Sequence, residues 1–410
     1  MYNFYLKTFG CKLNQYESQL IRENLTLNNW LEVESVEQSD YVLINSCCVT
    51  HDAVRELKRF IRSVKRKNSA LKIAVLGCLV QLYPQELQDI ECDILSNNRE
   101  KFDLSGNLTK VKDYIEGFKN HTRAFVKVQD GCNNRCSYCC VWMARGSSRS
   151  RDRGQVLNEI AALLRSGYKE IVLTGCCLGD FGKDRGSSLS QLLSEINGID
   201  SDFRIRLSSI EPQDVDKELI ESISNFDKIV PHLHIPLQSG SDTVLKLMGR
   251  KYDKEHFREL VLKLKGMDSF QFSTDIIVGF PGEREEDFKD TIELLKELRP
   301  IRVHVFPYSL RPKTAAFELG GKVTGTVLLS RRKEALSAAQ ILILDNLKEQ
   351  VGKRFQVLIE RKIGNFWVGY SENYIKIKFR GDRDFKNRLL LVKAVDLDSN
   401  DSALLAVPLH

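Results

Sequence analysis

The chain has 410 residues, 42% of them hydrophobic and 28% charged, with a net charge of +6; this is ordinary for a soluble globular protein of two to three domains and does not by itself call for nucleic acid. No uninterrupted apolar run approaches about 18 residues, and the start of the chain has neither a basic nor an apolar leader segment, which argues against a spanning helix and a secretory signal. Eleven cysteines are too sparse here for a disulfide scaffold, so the expectation is a cytoplasmic protein whose clustered thiols serve metal or catalysis.

Residues 1–118 alternate apolar runs at 3–9, 41–45 and 72–76 with helical stretches at 15–27 and 53–67. Such alternation predicts βαβ units and a doubly wound parallel sheet. Each run stops just short of a cysteine: Cys11, Cys47 and Cys78. The carboxyl ends of parallel strands line one crevice, so these three thiols are expected at one sheet edge. A single cysteine there would read as core; three at equivalent junctions point to a three-thiolate metal cluster. Cys92 reads as a structural residue inside a strand.

Residues 119–345 open with a strand-like run at 124–129, followed by Cys132, Cys136 and Cys139 in Cys-x3-Cys-x2-Cys spacing. Three such thiolates can hold three irons of a cubane and leave the fourth to chelate the amino and carboxylate groups of S-adenosylmethionine (SAM). Zinc is the rival ligand. A structural zinc site wants four donors, usually as two Cys-x2-Cys pairs, and neither a second pair nor a nearby histidine supplies the fourth. An open thiolate site suits iron–sulfur chemistry. Further strand candidates at 170–174, 204–208, 232–237, 272–278 and 303–307 alternate with helices at 156–166, 189–196, 254–265 and 285–298. The pattern predicts an incomplete (β/α)6 barrel with its site at the strands' carboxyl ends. The tail, 346–410, has short runs at 355–360, 366–370, 374–379 and 389–395 without a long helix, predicting a small antiparallel β-barrel.

Several strings together resemble one family. They are Thr8-Phe9-Gly10-Cys11-Lys12-Leu13-Asn14-Gln15-Tyr16-Glu17-Ser18, Asn45-Ser46-Cys47, Gly77-Cys78, the Cys132–Cys139 loop with Ala144-Arg145-Gly146, Arg206-Leu207-Ser208-Ser209-Ile210-Glu211-Pro212, Leu237-Gln238-Ser239-Gly240 and Thr274-Asp275 through Gly282-Glu283. These resemble the methylthiotransferases, radical-SAM enzymes that insert sulfur and then methylate it, and the tail resembles a TRAM domain, a small RNA-binding barrel. The string from Gly10 to Glu17 is similar to the MtaB branch, which acts on N6-threonylcarbamoyladenosine at position 37 of tRNA. The alternatives are the MiaB branch, acting on the isopentenyl nucleoside, the branch acting on a ribosomal-protein side chain, and a non-enzymatic RNA-binding protein with a structural metal. The family usually has a proline soon after the third cysteine of the loop; Cys140-Val141-Trp142 stands there instead, leaving that backbone less fixed.

The resemblance implies two [4Fe–4S] clusters, held by Cys11, Cys47 and Cys78 and by Cys132, Cys136 and Cys139. It implies that the second cluster cleaves SAM to a 5′-deoxyadenosyl radical that attacks adenine C2, that the first presents sulfur, and that a second SAM donates the methyl group. The partners implied are tRNA, a reductant and a sulfur source, with no membrane and no stable protein partner. Tyr138, Gly175, Glu211, Gln238 and Asp275 fall near the cluster loop or at strand ends, where they contact SAM or substrate or else only stabilise loops. Arg145, Arg149 and Arg151 after the loop, with Lys376, Lys378 and Arg380 in the tail, are the candidate RNA-binding cations. Cys48, Cys140, Cys176 and Cys177 are expected to be packing residues.

Overall fold

Strand register explains how three distant cysteines meet. The computed structural model describes residues 2–102 and 110–409. Its amino-terminal sheet has five parallel strands in the order Leu31–Glu32, Asn3–Thr8, Tyr41–Ser46, Lys72–Gly77, Ile94–Ser96. Thr8 pairs with Asn45, and Ser46 with Gly77, so Cys47 and Cys78 follow matched positions and Cys11 lies about one residue further along its strand. Neighbouring strands are about 4.8 Å apart, which brings the three thiols into one small neighbourhood. The helices between the strands follow their apolar spacing. His51–Lys67 buries Val54, Leu57, Ile61 and Val64, and the Thr50 hydroxyl caps it by accepting from the Ala53 amide at 3.2 Å. Cys92 lies before the strand Ile94–Ser96 rather than inside one.

The central region is a half-barrel of six parallel strands in two ladders. Arg123–Lys127, Glu170–Thr174 and Arg204–Leu207 form one; His232–His234, Gln271–Val278 and Arg302–Pro307 form the other. Single bridges, Ile205 to Ile229 and Ser209 to His234, join them. The helix Lys12–Leu27 couples this barrel to the amino-terminal sheet. Tyr16 and Leu20 enter the barrel's core while Ile21 and Leu25 pack on their own sheet.

The long helix Gly325–Lys348 runs across the expected boundary at 345 and leads into a closed five-stranded barrel. That barrel differs from the expectation in two ways. A fifth strand, Ala403–Pro408, completes it, and this strand pairs in parallel with Lys376–Arg380. The residues Ala403-Leu404-Leu405-Ala406 lack polar alternation, so periodicity does not mark them. The turn Ser371–Ile375 leaves the small barrel and docks on the amino-terminal ends of the half-barrel strands. Arg204 donates to the carbonyls of Gln356 (2.7 Å) and Tyr370 (2.8 Å), and Arg206 to those of Ser371 and Glu372, both at 3.0 Å. The Tyr374 ring lies 4.9 Å from His232 and under the guanidinium of Arg206. No helix among the described residues is long and apolar enough to cross a membrane.

Candidate active site and two cysteine triplets

Cys11 caps the helix Lys12–Leu27 and Cys78 begins the helix Cys78–Leu82. Of these two helix starts, the longer helix's dipole favours a thiolate. Gly10, at φ +107°, fits because a side chain there would strike Cys47: a Cβ would sit 2.8 Å from the Cys47 Cβ. Asn14 donates to the carbonyls of Phe9 (2.7 Å) and Ser46 (2.9 Å), tying two cysteine-bearing loops together. Burial pushes the Cys47 thiol up to about 12. The Cys78 thiol is drawn down, first by a hydrogen bond from Cys48 and, against burial, by the charges of Arg145 and Lys101.

In the second triplet Cys139 follows the turn begun by Cys136, its amide donating to the Cys136 carbonyl at 3.0 Å. Backbone amides of Asn134 and Val141 point at Cys132 Sγ and Cys139 Sγ, both at 3.4 Å, and the Val49 amide points at Cys47 Sγ at 3.5 Å. Arg250 donates to Cys136 Sγ at 3.0 Å and to the Tyr138 hydroxyl at 3.4 Å, and is ion-paired with Glu211. Among the described residues each triplet is three thiols close to backbone amides, Val49 at Cys47 in the first and Asn134 and Val141 in the second, where the Arg250 guanidinium adds a donor; such a donor set suits an iron–sulfur cluster. Both triplets pass that test.

Cys11, Cys47 and Cys78 border a cavity of about 230 Å³ whose other wall carries Thr174, Gly175 and Ser208 from the strand ends of the half-barrel. A larger, shallower groove of about 590 Å³ runs along Gly325–Lys348, but its lining has no thiol, acid or histidine. The smaller cavity is the one lined by thiols. An ion-pair lattice closes one flank. Arg145 grips Glu17 through both guanidinium ends at 2.9 Å, reaches Asp130 at 3.0 Å and donates to Asn14 at 2.6 Å, while Lys101 adds a 2.6 Å contact to Glu17. Burial alone would raise the Glu17 carboxyl; Arg145, Lys101 and Lys127 outweigh it and hold it well below the usual range.

These contacts revise several expectations. Arg145 is 6% exposed and fully engaged with Glu17 and Asp130, so it locks the two domains together rather than meeting phosphate. Arg151 is likewise committed to Glu159, Tyr16 and the Lys127 carbonyl. Lys376 and Lys378 pair with Asp401 and Asp398. Arg149 and Arg380 remain exposed. Gly175 lines the cavity, but its lack of a side chain answers Gln129, whose Oε1 a Cβ would meet at 2.7 Å. Gln238 takes a positive φ of 65° beside Asp275, its amide donating to the Asp275 carbonyl at 2.8 Å. Asp275 is held by His234 at 3.1 Å and His304 at 2.9 Å. Cys48, Cys140 and Cys177 are buried packing residues, as expected. Cys48 lies 3.6 Å from Cys140, and Cys177 stands between Cys132 and the Asp214 carboxylate. Arg250 went unread because no motif contains it and only folding brings it to the cysteines, whereas Gln129 and Asp130 directly precede the cysteine loop but gave no sign of their partners.

The comparisons with known proteins agree with this geometry. Residues 126–295 match the Radical SAM superfamily and residues 3–96 match the uncharacterized protein family UPF0004. The chain is 38% identical to the threonylcarbamoyladenosine tRNA methylthiotransferase MtaB of Thermotoga maritima, over 92% of this chain and 91% of that protein. It is 35% identical to the MtaB of Bacillus subtilis over 94% and 92%. A tRNA-2-methylthio-N(6)-dimethylallyladenosine synthase of Clostridium botulinum is 33% identical over 97% and 95%. In fold alone the chain is similar to the radical S-adenosylmethionine methyltransferase TsrM of Kitasatospora setae, with a TM-score of 0.57 over 77% of each chain at 12% identity. With the thiol triplets, the parallel half-barrel and relatives matching nearly its full length, the chain belongs to the radical-SAM methylthiotransferase family.

Proposed function

We infer that the chain methylthiolates C2 of N6-threonylcarbamoyladenosine 37 in tRNA, using two [4Fe–4S] clusters and SAM. The observation that carries this reading is the single cavity bordered by Cys11, Cys47 and Cys78 on one side and by half-barrel strand ends on the other. A sulfur-bearing site and a radical-generating site must face one nucleobase, and that cavity is where they can do so. The MtaB relatives at 34–38% identity and the string Gly10–Glu17 favour this nucleoside over the dimethylallyl one.

We assign Cys132, Cys136 and Cys139 to the cluster that, when bound, supplies the electron for reductive cleavage of SAM, and Cys11, Cys47 and Cys78 to the cluster that offers an iron for the sulfur to be inserted. The residues around them bind and orient. Arg250 fixes the second loop by joining Cys136, Tyr138 and Glu211. Tyr138 packs edge-on against Phe280 at 6.4 Å, which covers the loop from water. Glu211, Gln238 and Asp275, near the carboxyl ends of the half-barrel strands, shape the side on which SAM and the base lie. Exposed cations such as Arg149 and Arg380, rather than the paired Arg145, Arg151, Lys376 and Lys378, are left for the tRNA backbone.

Nucleoside mass spectrometry of tRNA from a strain lacking the gene tests the reading. Loss of the methylthio-threonylcarbamoyl nucleoside, restored by the wild-type chain and not by Cys11→Ala or Cys132→Ala, is expected. Loss of the methylthio-dimethylallyl nucleoside instead would move the chain to the other branch.

A further inference from the structure

The cavity bordered by Cys11, Cys47 and Cys78 carries two charged side chains, Lys12 and Arg145. Arg145 is spent on Glu17 and Asp130. Lys12, among the described residues, has no ion pair or side-chain hydrogen bond, although acidic partners take up most of the site's other cations. It stands at the start of the helix Lys12–Leu27, whose cap provides no side-chain acceptor for the first-turn amides, a place that favours negative charge. Lys12 is exposed where it lines this cavity. Opposite lies Ser208, 6% exposed, whose buried hydroxyl has no partner. An uncommitted ammonium and an orphaned hydroxyl on facing walls call for an anionic oxygen ligand between them.

We propose that Lys12 and Ser208 form the subsite for the carboxylate of the N6-threonylcarbamoyl group, and that Lys12 makes the enzyme select an anionic N6 substituent over an apolar one. This rests on the function inferred above. A carboxylate entering the cavity loses hydration, and only a charge-assisted contact restores it. A dimethylallyl group would leave both polar groups desolvated and unpaired, so the same pair that welcomes the acid rejects the hydrocarbon.

The test uses the reconstituted full-length enzyme and anticodon stem-loops carrying the threonylcarbamoyl nucleoside as free acid or as methyl ester. Formation of the methylthio product is followed together with iron content and uncoupled SAM cleavage. Wild type is expected to prefer the acid by roughly tenfold or more. Lys12→Met should erase that preference by losing rate on the acid while the ester is unaffected, Lys12→Arg should retain part of it, and Ser208→Ala should narrow it several-fold. Iron content and uncoupled cleavage should stay at wild-type levels throughout. Equal loss on acid and ester in Lys12→Met would mean a phosphate or cluster role and would overturn the subsite, as would an unchanged preference in both Lys12→Met and Ser208→Ala. A wild type that does not distinguish acid from ester overturns the subsite alone. A wild type that modifies only a dimethylallyl stem-loop overturns the function read above and the subsite with it.

Discussion

Glu17 is a single carboxylate with three cations on it, and it lies between two domains. Replacing it with Gln leaves Lys101 without a counter-charge and Arg145 with Asp130 alone, and breaking one side of a buried ion pair costs about 3–5 kcal/mol. Glu17→Gln is expected to lower the melting temperature of the anaerobic holoprotein by many degrees at pH 7. The folded carboxyl lies below its ordinary value of 4.5, so the wild-type advantage is fully present above about pH 4.5 and shrinks as pH falls through the lowered value. Melts of both proteins between pH 7 and pH 4 check the sign; a gap that widened in acid would refute it. Cys48 supports a second expectation. Its thiol lies 3.6 Å from that of Cys140 in the core beneath the amino-terminal triplet, so Cys48→Ala should keep about eight irons per chain but lower the melting temperature of the holoprotein, read by thermal denaturation with iron analysis. At this scale the six aligned cysteines were legible because strand ends carried them. The roles of Arg145 and Cys48 were not, since a basic or thiol side chain in sequence shows its charge or chemistry but not its partner.

The turn Ser371–Ile375 shows the same limit one level up. In sequence, 371–373 is only the gap between the runs 366–370 and 374–379; in the fold, Tyr374 adopts φ +69° and stacks on Tyr370 at 5.1 Å among the guanidiniums of Arg123, Arg206 and Arg302. Strand-starting positions supply the counter-charge. Glu170, fully buried, holds Arg204 at 2.6 Å and Arg206 at 2.8 Å. Those arginines sit at regular strand positions, and although Arg206 opens one of the family strings, neither showed its partner in sequence, because what they bond is backbone of another domain. Arg206→Ala removes two contacts to that turn and exposes Glu170 to an incomplete set of partners. Limited proteolysis should then cut near the turn faster than in wild type by roughly tenfold or more, since buried charged hydrogen bonds contribute about 1.5–3 kcal/mol each. Unchanged cleavage would mean the docking rests on apolar contact alone.

Taken as a whole, the molecule places its small barrel at the end of the half-barrel opposite the cysteines, and the order of its three layers was legible from the alternation of strands and helices. The barrel's docking was not, and it alters what removal of the tail should do. Ile301 and Leu347 share the core of the small barrel, so deleting 349–410 uncovers them together with the arginine cluster and should lower stability as well as tRNA affinity. Charge reversal separates the two effects. Arg380 and Arg383 are exposed and lie over Phe366 and Phe385; reversing both should flatten the salt dependence of tRNA binding by a log–log slope of about one per lost phosphate contact. Reversing Lys376 and Lys378 should instead cost stability through Asp398 and Asp401, and an identical slope change in both variants would refute that division. The Arg145–Glu17 lock also bears on inheritance. The border between the first two domains is a boundary of the chain but not of the packing, because Tyr16 and Leu20 complete a core that belongs to the barrel. A recombination event that exchanged amino-terminal domains between relatives would have to carry a matching acid, base and apolar pair across the junction. Exchanging one of these domains so that position 17 or 145 alone changed is therefore expected to cost stability that a matching change at the other position would restore.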